Sequence, residues 1–325
     1  MADNAAQTIA SLTARNAAGH TAIHRAARSG DLSVLPSEVL TAKFLTLKND
    51  AGYTPLHHAA MCGHLDQVPR EVLTTENLSV RSNAGYSVFH TAAAHGTLGQ
   101  IPAELLTAEV LQNANDTGNT VLHEAAENGT MDRIPPGTLT AESLSRRNLS
   151  GETVLHVAAF NGHLDQVPQD LLTAEAMRET TSAGDTVFHA AAISGHLEQV
   201  PAALLVAVNL SLSSKTGFTA AHAAAETGQL SKIPAAQLTV ELLCARNDNG
   251  DTPLHAAAYE GHLDQIPAQL LSPETVGLRN YDGVSVGSLA IERGFVGQIP
   301  QASRPRAAGL VSRLLRRISK TRTPF

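Results

Sequence analysis

Apolar residues recur along this chain in short stripes that return every 33 positions. Residues 52–84 read GYTPLHHAAMCGHLDQVPREVLTTENLSVRSNA, in which Leu56, Ala59 and Ala60 form the narrow apolar face of a short helix. Thr54 is placed to cap that helix and Pro55 to occupy its first position, where a missing N–H goes unmissed. Gly63 then ends it in a left-handed conformation, and Leu65 and Val68 begin a second apolar stretch. Gly19, Gly52, Gly85, Gly118, Gly151, Gly184, Gly217, Gly250 and Gly283 keep this spacing without one insertion, as do the ladders starting at Gly30 and at Pro36. Three such ladders mark a repeat array that grows by stacking, so a length of 325 residues does not imply several globular cores.

The pattern Gly-x-Thr-Pro-Leu-His-x-Ala-Ala-x-x-Gly-His-Leu at this period resembles the ankyrin repeat, most closely in TPLHHAA (54–60) and TPLHAAA (252–258). The resemblance covers roughly residues 16–300 and implies an all-α repeat solenoid of about nine repeats. It implies for each a hairpin-like loop and two antiparallel helices, stacked into a curved array with a concave groove. The second half of each repeat departs from the family. Pro69 lacks a donor and biases Val68 away from helical geometry, so the second helix is expected to break into a turn near Leu65–Val68 and one or two short helices over 70–80. Thr74 is a candidate cap for the last of these, with Glu76 in its first turn. Val68, Val72, Leu73 and Leu78 remain as apolar positions for stacking.

The ends differ from the middle, as terminal repeats do. Residues 1–15 are expected to form a half-repeat cap, since Leu12 lies one period before Leu45. The array then occupies 16–300, and its last repeat has Val286, Gly287 and Ser288 in place of Pro, Leu and His. Residues 301–325 form a basic tail in which Leu310, Val311, Leu314, Leu315 and Ile318 take one helical face and Arg313, Arg316, Arg317 and Lys320 the other.

Composition narrows the chemistry. Hydrophobic residues make up 43% and aromatics only 3%, which suits closely stacked short helices better than one large core. No apolar stretch is long enough for a membrane span, no signal peptide is expected, and Cys62 and Cys244 are too far apart in sequence to make a disulfide framework. A reducing, cytoplasmic setting follows as the expectation. The net charge of −7 divides into seven basic and no acidic residues in 301–325, against 16 basic and 30 acidic residues elsewhere.

Fifteen histidines invite a metal or catalytic reading. Eight of them, His24, His57, His90, His123, His156, His189, His222 and His255, hold one register, and one per repeat makes a line rather than a pocket. The resemblance implies that this histidine ties neighbouring loops together. His64, His163, His196 and His262 form a second line. His57, His58, Cys62 and His64 are the densest group, yet they lack a convergent tetrahedral arrangement, and Asp66, Asp132, Asp165 and Asp264 are repeat-periodic and solvated or capping. No phosphate loop or nucleophile elbow is present. No enzyme, cofactor or metal is expected.

Positions that vary between repeats are the residue after the first Gly and those one and four after the signature His. The resemblance places them on hairpin tips and the concave helix face. Tyr53, Tyr86, Phe160, Phe218, Tyr259 and Tyr281 fall in these places, and aromatics there are candidate interface anchors. Among the variable polar residues Arg25, Arg28, His58, His95, Glu124, Glu127, Glu226 and Glu260, the sign turns from basic to acidic at the fourth repeat, which favours a basic partner segment along the acidic part. The expected function is a monomeric scaffold that binds another protein. The tail leaves alternatives open: a cap on the array, a membrane-surface or protein-groove anchor, or a signal for export to a host cell, as in ankyrin-like proteins of some intracellular bacteria. Nucleic acid is disfavoured, because the acidic array repels it.

Overall fold

The local chemistry of one repeat explains the rest. In the computed structural model, Thr54 accepts the His57 N–H through Oγ1 at 3.3 Å, and the His57 ring accepts the Thr54 N–H at Nδ1 at 3.1 Å. This is a capping box with histidine in the place of glutamate, and it starts the helix Pro55–Cys62. Gly63, at φ 78°, closes the helix in the left-handed region. The chain then makes a single 3-10 turn over Leu65–Gln67 and enters Pro69 through an extended Val68. A second 3-10 turn, Arg70–Val72, leads to the short α-helix Thr75–Leu78, whose first turn Thr74 caps by accepting the Asn77 N–H. The broken second half therefore has the form that the periodic proline dictates.

The structure describes residues 2–135 and 137–305, with side chains from residue 7 onward. Among these residues the chain is helical, with no strand. Isolated bridges such as Ala114–Thr120 and Ser213–Thr219 close the hairpin-like loops. No helix among them is long and apolar enough to cross a membrane. The contacts fall into two compact units, 1–182 and 183–325.

In the unit 1–182, first helices of successive repeats pack side by side, from Ala22–Ser29 to Val154–Asn161. Ala59, Ala60, Ala92, Ala93, Ala125 and Ala126 are fully buried at these contacts, where only small side chains let backbones approach closely. Leu65, Leu98, Met131 and Leu164 fill one layer beneath them, and Leu45, Leu78, Leu111, Leu144 and Met177 another. At the front a helix runs from Ala2 to Thr13 and packs on Ala22–Ser29. It occupies most of the segment 1–15.

The unit 183–325 repeats the same layers with Leu197, Leu230 and Leu263 and with Leu210, Leu243 and Val276. Its last repeat keeps the cap by substitution, with Ser285 accepting from the Ser288 N–H and Ser288 Oγ accepting the Ser285 N–H. Gly287 has a specific reason. A Cβ there would lie 2.5 Å from Cγ of Pro305, so the missing leucine makes room for the chain to fold back against Val286–Glu292. Residues 306–325, including Arg313, Arg316, Arg317 and Lys320, lie outside the described residues.

Candidate functional site

The signature histidines are committed to structure. Because Nδ1 of His57 accepts the Thr54 N–H, the proton sits on Nε2, which donates to the carbonyl of Tyr86 at 3.0 Å in the next repeat. His24 reaches Tyr53, His90 reaches Asn119 and His123 reaches Glu152 in the same way, each at 3.2 Å. In the second unit His189 reaches Phe218 at 3.1 Å, His222 reaches Asp251 at 3.1 Å and His255 reaches Val284 at 3.2 Å. Burial lowers His57 and His90 to about 4, so these rings are neutral when folded. His163 and His262 bond the last-turn carbonyls of Ala126 and Ala225 in the preceding repeat. Cys62 is exposed, and the His64 ring lies over Gly30. Among the described residues no group of three or more His, Cys, Asp or Glu is arranged to hold a metal.

Two further ladders escaped the sequence reading. Gln100 accepts the Leu65 N–H at 3.0 Å and donates to the Gly63 carbonyl at 2.8 Å, and Gln298 does the same for Leu263 and Gly261. Arg81 and Arg246 donate to the carbonyls of Ala114 and Arg279, each 33 residues on. The signal was in the sequence: Gln67, Gln100, Gln166, Gln199, Gln265 and Gln298 each precede a Val/Ile-Pro pair.

The predicted interface residues divide by register. Tyr53, Tyr86 and Phe218 are half-buried, with ring centroids 5.4, 5.9 and 5.2 Å from His57, His90 and His222 of their own repeats. Their backbone carbonyls also receive the histidine ladder, so these three rings stand against the stack. Tyr281 is largely exposed. It lies over Gly250 and 5.9 Å from the Arg246 guanidinium.

The register one after the histidine, expected on the surface, turns inward at most repeats. Glu124 is a correction of this kind: it is only 3% exposed. It accepts hydrogen bonds from Asn115 Nδ2 and Asn119 Nδ2 at 3.2 Å and from the Tyr86 hydroxyl. Burial pushes the Glu124 carboxyl up. Burial together with the Glu124 charge pushes the Tyr86 hydroxyl up to about 12. His58 is also buried, 5.4 Å from His20 and 5.8 Å from His24 between ring centroids, and neither of its nitrogens has a hydrogen-bond partner. Burial, then the neighbouring His24, His20 and Arg28, lowers it to about 4.

The register four after the histidine faces solvent. In 1–182 it presents Arg28, Glu127 and Phe160, the last 54% exposed. In 183–325 it presents Ile193, Glu226 and Tyr259, the last 48% exposed. Tyr259 stands in a groove of about 1270 Å³, lined also by Phe218, Glu226, Asp251, Glu260 and Glu292. The Arg293 guanidinium lies 3.4 Å from the Tyr259 ring centroid. Burial, followed by repulsion from Glu260, pushes the Glu226 carboxyl up. Such a groove offers an aromatic face and negative charge to an extended or helical segment. Its Thr252 hydroxyl and His255 ring, 2.8 Å apart, are engaged in the capping box and in the bond from His255 to Val284 of the next repeat.

Comparison with known proteins finds ankyrin-repeat family models in this chain. A family model described as "Ankyrin repeats (3 copies)" matches residues 155–244, and one described as "Ankyrin repeat" matches residues 51–73 and 249–272. No curated protein matches the chain. Among solved structures, the chain is similar to the ankyrin repeat domain of Bcl-3, a member of the IkappaB protein family. The identity is 27%, over 62% of this chain and 93% of that one, with a TM-score of 0.46.

Proposed function

This chain belongs to the ankyrin-repeat family, whose repeats are generally protein–protein interaction modules, and we propose that it binds a protein partner along the exposed register of its first helices. The observation that carries this reading is the placement of Tyr259. The fold does not bury it, yet it stands in a formed groove beside Phe218 and an acidic rim. A large amphipathic ring that lines a concavity and stays half exposed has the character of an interface anchor. Phe160 occupies the same register in the other unit and is exposed to a similar degree.

The polar surroundings indicate the partner's chemistry. Five carboxylates and one guanidinium line the groove in 183–325, so a segment with lysine or arginine finds complementary charge there. Capture of a partner by the full chain, repeated with Tyr259→Ala, Phe160→Ala and the control Leu149→Ser, tests the reading. The control is apt because Leu149 is an equally apolar, exposed residue on a loop. Loss of capture with Tyr259→Ala and not with the control is the expected result. Undiminished capture with both aromatic variants overturns it.

A further inference from the structure

The groove of unit 183–325 is chemically one-sided. Among its lining residues only Arg293 is a permanent cation, against Glu226, Asp248, Asp251, Glu260 and Glu292. Arg293 rests on Tyr259, so a guanidinium on that ring is an arrangement the groove already accepts. Burial, and after it the charge of Glu260, holds the Glu226 carboxyl above its ordinary range.

The chain itself carries a segment of the opposite character. Residues 306–322 contain Arg306, Arg313, Arg316, Arg317, Lys320 and Arg322 and no acid, interleaved with Leu310, Val311, Leu314, Leu315 and Ile318. This segment begins on the far side of the helix whose other face lines the groove. Pro305 packs at Gly287 on the helix Val286–Glu292, and Leu289 and Glu292 of that same helix line the groove. Five residues of helix put Gly287 about 8 Å from Glu292. The stretch from Pro305 to Arg313 can reach roughly 27 Å when extended.

Resting on the reading that this groove takes a protein segment, we propose that its occupant in the free protein is the chain's own segment 306–322, with its arginines against Glu226, Glu260 and Glu292. A partner must then displace this segment, and local concentration favours the tethered ligand. The groove is occupied in cis until a competitor of higher affinity or higher basic charge arrives.

The test uses the full chain with p-benzoylphenylalanine in place of Leu314, irradiated at low concentration, with cross-linked peptides mapped by mass spectrometry. The expected product is an intramolecular cross-link to peptides spanning 216–226, 247–260 or 289–293. It should fall at least fivefold in Glu226→Lys/Glu260→Lys and in Arg313→Glu/Arg316→Glu/Arg317→Glu. Glu226 and Glu260 are exposed, so their reversal leaves the fold intact, and the second variant leaves the described residues unchanged. Cross-links to other peptides, cross-links between two chains, no cross-link, or a cross-link indifferent to both charge reversals overturn the proposal. No partner enters this measurement, so its failure leaves the partner reading standing, and loss of the partner reading leaves the cross-link unexplained by it.

Discussion

The two ends of each first helix contrast in what they are for. At the loop end, Thr54 and His57 recur in kind through the array and bond within and between repeats. Four residues on, the register runs Arg28, Met61, Ala94, Glu127, Phe160 in one unit and Ile193, Glu226, Tyr259 in the other, and apart from the half-buried Met61 and Ala94 it faces solvent. Periodic residues hold the stack, and the exposed aperiodic ones can differ because they take no part in the hydrogen-bond ladders between repeats. The register between them, occupied by His58 and Glu124, is aperiodic yet buried. It shows that variation alone does not mark a surface.

Acidification tests the loop end most severely. His57 and His90 sit at about 4 when folded, against 6.5 for a free imidazole. Below 6.5 the unfolded chain takes up protons that the folded chain refuses, so stability is fully present above that pH and is lost as pH falls toward 4. Each ring contributes on the order of 3 kcal/mol to the loss. The cause is burial of the rings, and a proton on Nδ1 of His57 would also remove the acceptor for the Thr54 N–H. Glu124 and Glu226, held above their ordinary range, act in the opposite sense near pH 4.5 and above and only partly offset it. Urea melts between pH 7 and 4 should show a continuous fall. A flat profile would mean that the histidine ladder does not carry the stacking.

Next in size is the single substitution His57→Ala. It removes a cap, an inter-repeat hydrogen bond and a fully buried ring, and should cost about 3–5 kcal/mol in chemical denaturation. A loss below about 1 kcal/mol would break the contrast with the exposed register.

The intermediate register should give opposite signs. Glu124→Ala leaves Asn115, Asn119 and the Tyr86 hydroxyl without their acceptor and should destabilise by about 1–3 kcal/mol. His58→Leu replaces a ring with two unsatisfied nitrogens and should be neutral or stabilising by about 1–2 kcal/mol, read as the shift in thermal midpoint. Equal destabilisation by both would mean that hydrogen-bond satisfaction does not distinguish them. The smallest stability effect belongs to Tyr259→Ala, about 0.5–1 kcal/mol, because its ring is half in solvent and loses only the Arg293 contact.

The stacked fold was legible in the sequence because every determinant is periodic. Gly63, Pro69, Thr54 and His57 each state a local backbone requirement, and the structure meets each one. The glutamine and arginine ladders recur in only part of the repeats, and the meaning of a glutamine before Val/Ile-Pro was missing. The burial of Glu124 and His58 was not legible. It depends on how an eight-residue helix is rotated against its neighbours, which the spacing of Leu56 and Ala59 does not specify. The role of Gly287 required seeing Pro305 against it. Of the aromatics, Phe160, Tyr259 and Tyr281 are exposed, while Tyr53, Tyr86 and Phe218 are drawn in over the histidine rings.

The central claim is that binding belongs to the exposed register and structure to the periodic one. Amide hydrogen exchange of the full chain with and without its captured partner tests this most directly. The account predicts slowed exchange in peptides spanning 218–226, 247–260 and 289–293, with the short helices Ala207–Leu210 and Val240–Leu243 unchanged. Protection confined to those short helices, with none in the groove, would contradict it.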